Sequence, residues 1–200
     1  HPVFIENDAN MAALGEYMQI FKGKIQSLVF LTLGTGVGGG IIYNGELLTG
    51  NINYAELGHM TLVAEGRLCS CGKRGCVEKY CSSPAIIADY AEGSGEEIED
   101  VRIIADKAHD GDFAAYAAFE MFALHLAHTV SSAITIFCHT HIRIGGGLSE
   151  LAELYYPAMQ TILSDITFPA FKKRTEVSIS TLKNDAALYG GLEWAKRMLK

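Results

Sequence analysis

Residues 31–40 read Leu31-Thr32-Leu33-Gly34-Thr35-Gly36-Val37-Gly38-Gly39-Gly40, and the passage from apolar strand into glycine decides the fold. Residues 27–33 (Ser-Leu-Val-Phe-Leu-Thr-Leu) read as a strand, and Ile41, Ile42 and Tyr43 as the next one. Asn44-Gly45 is a two-residue hairpin turn, after which Glu46-Leu47-Leu48 returns. A strand that breaks into Gly-Thr-Gly lets backbone N–H groups approach a phosphate, with a hydroxyl beside them. No Gly-Lys-Ser/Thr follows, so this is not a Walker loop. Glycines that merely let a strand bend explain the run equally well.

Working outward, residues 3–6 read as a short buried strand, and Asn7 or Asp8 caps a helix over 9–20. Met11, Leu14, Met18 and Phe21 recur there at helical spacing. Residues 49–83 are irregular. Beyond them the pattern predicts helices at 84–92, 97–109 and 112–138, then a strand at 142–144 running into Gly145-Gly146-Gly147. A helix over 149–164, a strand over 177–179 and a helix over 184–198 complete an α/β chain without internal repeats. The apolar stretch 113–137 suits a core or a dimer contact, and a homo-oligomer is expected. The chain opens on His1 rather than Met, which suggests that an N-terminal part is missing.

The composition fits a globular chain of one or two domains: 200 residues, 49% hydrophobic and 20% charged. A net charge of -7 argues against a nucleic-acid surface. The basic knots Lys172-Lys173-Arg174 and Lys196-Arg197 read as solvated helix ends. No signal peptide is visible, and Glu120, His125 and His128 interrupt the one long apolar stretch, so no membrane span is expected.

His59-x9-Cys69-x-Cys71-x4-Cys76, with Gly72 and Gly75 inside the last gap, is the ligand set of a closed tetrahedral zinc site. Buried free thiols or a disulfide between near neighbours are the alternatives, although Cys69 and Cys71 are too close to bridge comfortably. Cys81 and Cys138 lie outside this spacing and read as ordinary buried thiols. An odd number of cysteines, three of them clustered, points to the cytoplasm rather than to a secreted disulfide framework. Among the acids, Asp8 stands at a strand–helix junction, and Glu56 and Glu78 flank the Cys/His cluster. A phosphate-type loop, a braced loop and several carboxylates together suggest a polyhydroxylated ligand and a nucleotide.

Four segments occur in an order that resembles the ROK family, the repressors and sugar kinases of the actin-like ATPase (ribonuclease H-like) superfamily. They are Val3-Phe4-Ile5-Glu6-Asn7-Asp8-Ala9-Asn10, Gly34-Thr35-Gly36-Val37-Gly38-Gly39-Gly40, Glu56-Leu57-Gly58-His59-Met60, and Cys69-x-Cys71-Gly72-x-x-Gly75-Cys76-Val77-Glu78. Ile144-Gly145-Gly146-Gly147 and Asn184-Asp185-Ala186-Ala187-Leu188-Tyr189-Gly190 extend the likeness along the chain. The resemblance implies one C-terminal lobe over residues 1–200, with a zinc-binding loop within 56–81. It implies Asp8 as the base for a sugar hydroxyl, and Asn7, Glu56, His59 and Glu78 as sugar contacts. It implies His59, Cys69, Cys71 and Cys76 as zinc ligands. Gly34, Thr35 and Gly36 would form a phosphate loop, and Gly145, Gly146 and Gly147 the nucleoside-side loop. The family's first phosphate loop, Asp-x-Gly-Gly-Thr, is not in this chain, and Ala55 stands where a glycine is usual, a mild change.

Tyr80-Cys81-Ser82 and the 69–76 arrangement resemble the regulator branch. The preferred sequence reading is therefore the sugar-sensing region of a transcriptional regulator, binding a hexose or N-acetylhexosamine, with DNA bound only through a domain absent here. The alternative is part of an ATP-dependent sugar kinase, which would use ATP and Mg2+ and be inactive without its first lobe.

Overall fold

The computed structural model describes residues 2–50, 55–137, 141–183 and 185–199. Its centre is a five-stranded sheet in the order β3-β2-β1-β4-β5. The strands are β1 (Leu28–Leu33), β2 (Val37–Tyr43), β3 (Glu46–Leu47), β4 (His141–Gly145) and β5 (Glu176–Ile179). β1, β2 and β3 pair antiparallel through tight turns, whereas β4 and β5 add parallel to β1. Parallel neighbours need long crossovers, which the helices supply. These are α1 (Asp8–Gln19), α2 (Ser83–Ser94), α3 (Val101–His109), α4 (Phe113–Phe137), α5 (Ala152–Ile166) and α6 (Asp185–Met198).

β1 is apolar at every position but Thr32 because both of its faces are covered. Leu28 and Phe30 pack with Met11, Leu14 and Tyr17 of α1 and Ala186 of α6. Val29, Leu31 and Leu33 join Phe119, Phe122, Leu126 and Tyr155 in the helical layer opposite. By the same alternation Thr32 belongs to the α1 side, at the strand's end. α4 serves the core: Ala115, Phe119, Phe122, Leu126, Val130 and Ile134 are all buried.

The glycines of β2 are contact surfaces on alternating sides. A Cβ at Gly38 would lie 3.0 Å from the Ala9 Cβ, and one at Gly40 would lie 2.5 Å from the Ala13 Cβ. One at Gly39 would meet Leu57 Cδ1 at 2.7 Å on the other face. α1 meets α6 as closely: a Cβ at Gly15 would overlap the Ala186 carbonyl, and one at Gly190 the Met11 carbonyl. Glu16, fully buried, ties α1 to the sheet. Arg143 Nε donates to Glu16 Oε2 at 3.1 Å, the Ser180 hydroxyl donates to Oε1, and Arg143 Nη1 donates to Ser178 at 2.8 Å.

Several expectations need correction. Residues 3–6 form no strand; Val3 and Ile5 are 83% and 92% exposed, and no strand among the described residues runs beside them. An extended segment without a ladder partner leaves its amides to water. α3 begins at Val101 rather than at 97, because the Asp100 carboxylate accepts the Arg102 amide at 2.9 Å and caps it there. A 3-10 turn, Gly147–Leu151, precedes α5 where a continuous helix was expected. Lys172, Lys173 and Arg174 sit in a turn beyond α5, not at a helix end. Cys81 is buried as expected, whereas Cys138 and Asn184 lie outside the described residues. Among the described residues no helix is long and apolar enough to cross a membrane.

Candidate functional site

Asp8 opens α1. Asn7 caps the helix with a side-chain oxygen that accepts the Ala9 and Asn10 amides at 2.9 and 3.2 Å. Asp8 Oδ1 accepts the Ala9 amide at 2.8 Å. Its carboxylate, exposed at a helix N-terminus, lines a cavity of about 170 Å³ together with Thr32, Gly146 and Lys183. Gly146 has φ 82, and a Cβ there would lie 2.7 Å from both the Leu33 amide nitrogen and Thr32 Oγ1. Only glycine lets the exit of β4 press this closely on the end of β1.

Alongside lies a larger cleft of about 660 Å³, within the range of small-molecule sites. Gly34, Thr35, Ser83 and Ile87 form one wall; Gly147, Leu148 and Glu150 form another, with Asp100 and Arg102 at the margin. The Ser83 amide donates to the Gly34 carbonyl at 2.7 Å, which pins the glycine loop to the start of α2. Gly146 lines the small cavity and Gly147 the large one, so the two adjoin at that peptide.

Other expected residues fall elsewhere. Gly145 is buried in β4, where a Cβ would meet Phe30 Cζ at 2.5 Å; it serves packing and lines neither cavity. Gly36 faces Glu78 instead, with 2.6 Å from a would-be Cβ to Glu78 Oε2. The Val37 amide donates to the same carboxylate oxygen at 3.3 Å, so Glu78 joins the Cys/His loop to the glycine loop. Glu56 is exposed before the 3-10 turn Leu57–His59 and lines neither cavity. Ala55 has φ 64, a left-handed conformation, so alanine at this position is not a mild change.

The ligand atoms of His59, Cys69, Cys71 and Cys76 all lie within 4.8 Å of one another. Cys71 Sγ is 3.6 Å from Cys76 Sγ, and Cys69 Sγ is 3.7 Å from His59 Nδ1. A tetrahedron with metal–sulfur bonds of ~2.3 Å has edges of roughly 3.8 Å, so the donor set fits a tetrahedral ion. A disulfide would need a separation of about 2.05 Å. The Cys71 amide beside Cys69 lowers that thiol to about 6, while burial pushes Cys76 up to about 11.

Sequence reasoning missed Thr32, Lys183, Glu150 and the buried Glu16–Arg143 pair. Thr32 carried a signal, being the polar residue that interrupts an apolar strand. Lys183 carried none, because a lone cation in a loop is ordinary.

The ROK family model matches residues 1–198. A glucokinase of Thermotoga maritima is 35% identical over 98% of this chain and 67% of its own length. An N-acetylmannosamine kinase of Haemophilus influenzae is 34% identical over 99% of this chain and 64% of its own. The crystal structure of a ROK family glucokinase from Streptomyces griseus, in complex with glucose and AMPPNP, superposes with a TM-score of 0.87 at 30% identity. It is matched over 98% of this chain and 69% of that one. Regulators occur among the relatives too, as in a xylose repressor of Caldicellulosiruptor bescii, 29% identical over 94% of this chain and 51% of its own length. The chain thus spans about two-thirds of the length of the kinases it matches. On motif order, sheet topology and superposition alike, this chain belongs to the ROK family and has its actin-like ATPase-type fold.

Proposed function

We propose that this chain is the C-terminal lobe of an ATP-dependent sugar kinase acting on a hexose or N-acetylhexosamine. The observation that carries the reading is the adjacency of the two cavities. The Asp8 carboxylate lines one, and the Gly34-Thr35 loop and Gly147 line the other. A nucleoside triphosphate with its nucleoside in the larger cleft would direct its terminal phosphate toward Asp8. The carboxylate accepts the proton of a sugar hydroxyl as that oxygen bonds to the terminal phosphorus; the bond to the leaving nucleoside diphosphate breaks. Magnesium arriving on the nucleotide neutralises triphosphate charge. Asn7, Glu56, His59 and Glu78 contact the sugar in this reading. His59, Cys69, Cys71 and Cys76 hold a structural zinc that braces residues 56–81. The regulator reading preferred from Tyr80-Cys81-Ser82 yields to the kinase reading, because the relatives are mainly sugar kinases; the xylose repressor among them keeps a DNA arm in the test.

The test is sugar-dependent ATP consumption by the full-length protein with glucose and N-acetylmannosamine. Turnover is expected, and Asp8→Asn lowers it by about 10²–10⁴-fold with sugar affinity changed far less. A wild type that turns over neither sugar but releases operator DNA when sugar is added would replace this reading with the regulator.

A further inference from the structure

Lys183 stands just before α6 at φ 51, a left-handed backbone conformation that lysine adopts at a cost. Its side chain is the only basic one lining the small cavity that holds Asp8 and Thr32, among the described residues. Its ammonium lies 3.4 Å from Glu150 Oε1. Glu150 belongs to the 3-10 turn Gly147–Leu151 and lines the larger cleft. The ion pair therefore spans the junction of the two cavities at Gly146 and Gly147, which a phosphate chain running from cleft to Asp8 would cross.

The surroundings are otherwise hostile to such a chain. Asp8 is the acid of the small cavity; Glu99, Asp100 and Glu150 line the larger one, with Arg102 as its basic residue. A polyanion entering here needs positive charge at the end where Asp8 already contributes negative charge. Lys183 is placed to supply it. Both partners of its ion pair are more than half exposed, 64% and 57% by side chain, so the pair is weak and easily exchanged.

We propose that Lys183 is a phosphate-binding residue: Glu150 holds its ammonium across the cavity junction until the terminal phosphate of a nucleoside triphosphate takes it over. This inference rests on the kinase reading, and adds to it the residue that would offset the terminal phosphate's charge beside the base.

The experiment is calorimetric titration of the full-length protein with a non-hydrolysable ATP analogue and with adenosine, alongside the turnover assay. Lys183→Met is expected to weaken the analogue about tenfold, the lower end of a charge-assisted contact, and to leave adenosine unchanged. Lys183→Gly relieves the backbone and so folds at least as well, yet should show the same loss. Lys183→Arg should keep most of the affinity, and Glu150→Gln should tighten the analogue by freeing the ammonium. Wild-type analogue affinity and turnover in both Lys183→Met and Lys183→Gly would overturn the inference while leaving the kinase reading in place. Absence of nucleotide binding and turnover in the wild type would overturn both.

Discussion

Ala55 is the residue at which side chain and backbone disagree. At φ 64 its Cβ crowds the following carbonyl, a conformation disfavoured by ~1–2 kcal/mol for an L-residue. Glycine removes the clash but loses more freedom on folding. Ala55→Gly should therefore stabilise the protein by about 0.5–1 kcal/mol, read from the denaturant midpoint at unchanged slope. An unchanged or lower midpoint would refute the strain. The ligand set is tested at the same scale: metal analysis should find about one zinc per chain, as a single Cys3His site requires, and Cys71→Ser should lose it. Stoichiometric zinc in that variant would refute the assignment. Reading Ala55 as a mild change shows where sequence ran out, since backbone angle is invisible until the neighbours that impose it are placed.

The crossing of α1 over α6 offers a test with a built-in control. Gly190 and Gly191 are adjacent on α6, but a Cβ at Gly190 would overlap α1 whereas one at Gly191 meets nothing within 4 Å. Gly191→Ala should be neutral or stabilise by up to about 1 kcal/mol through helix propensity. Gly190→Ala should destabilise by several kcal/mol, since backbone cannot yield as a side chain can. Equal melting temperatures for the two would show that the helices are not in contact there. β1 was legible because a strand covered on both faces carries a nearly continuous apolar run, broken here only by Thr32. The segment 3–6 carries much the same signal, but apolar content alone supplies no neighbouring strand. The glycines divided as chemistry and packing do: Gly34, Gly146 and Gly147 line the cavities, whereas Gly36, Gly38, Gly39, Gly40 and Gly145 accommodate neighbours. A run of glycine letters cannot distinguish these duties before the helices are in place.

Across the whole molecule, the helical layer is joined to the Cys/His loop through Tyr80, whose ring lies 4.9 Å from that of His125 on α4. Arg67 of the loop stacks on the same tyrosine and pairs with Asp89 of α2. His125 Nδ1 is buried without a hydrogen-bond partner, and burial lowers the pKa of this histidine; Asp89 opposes that shift, while Arg67 and His128 reinforce it. The unfolded chain therefore takes up this proton first as pH falls, so stability is lost below about 6.5, the ordinary histidine value. His125→Gln should flatten the stability profile between about pH 7 and 5 on that account. A profile identical to wild type would remove His125 from the linkage. The glycine contacts described earlier also bear on how such a protein can diversify. α1, which carries Asp8, touches β2 and α6 through atoms that no repacking can resize. A deep mutational scan should accordingly find residues 9–16 and 38–40, with Ala186 and Gly190, nearly intolerant, and the exposed Leu188 and Tyr189 and the irregular loops around the cavities permissive. A lineage built this way can vary the surroundings of its cavities many times over while the Asp8 carboxylate stays where it is.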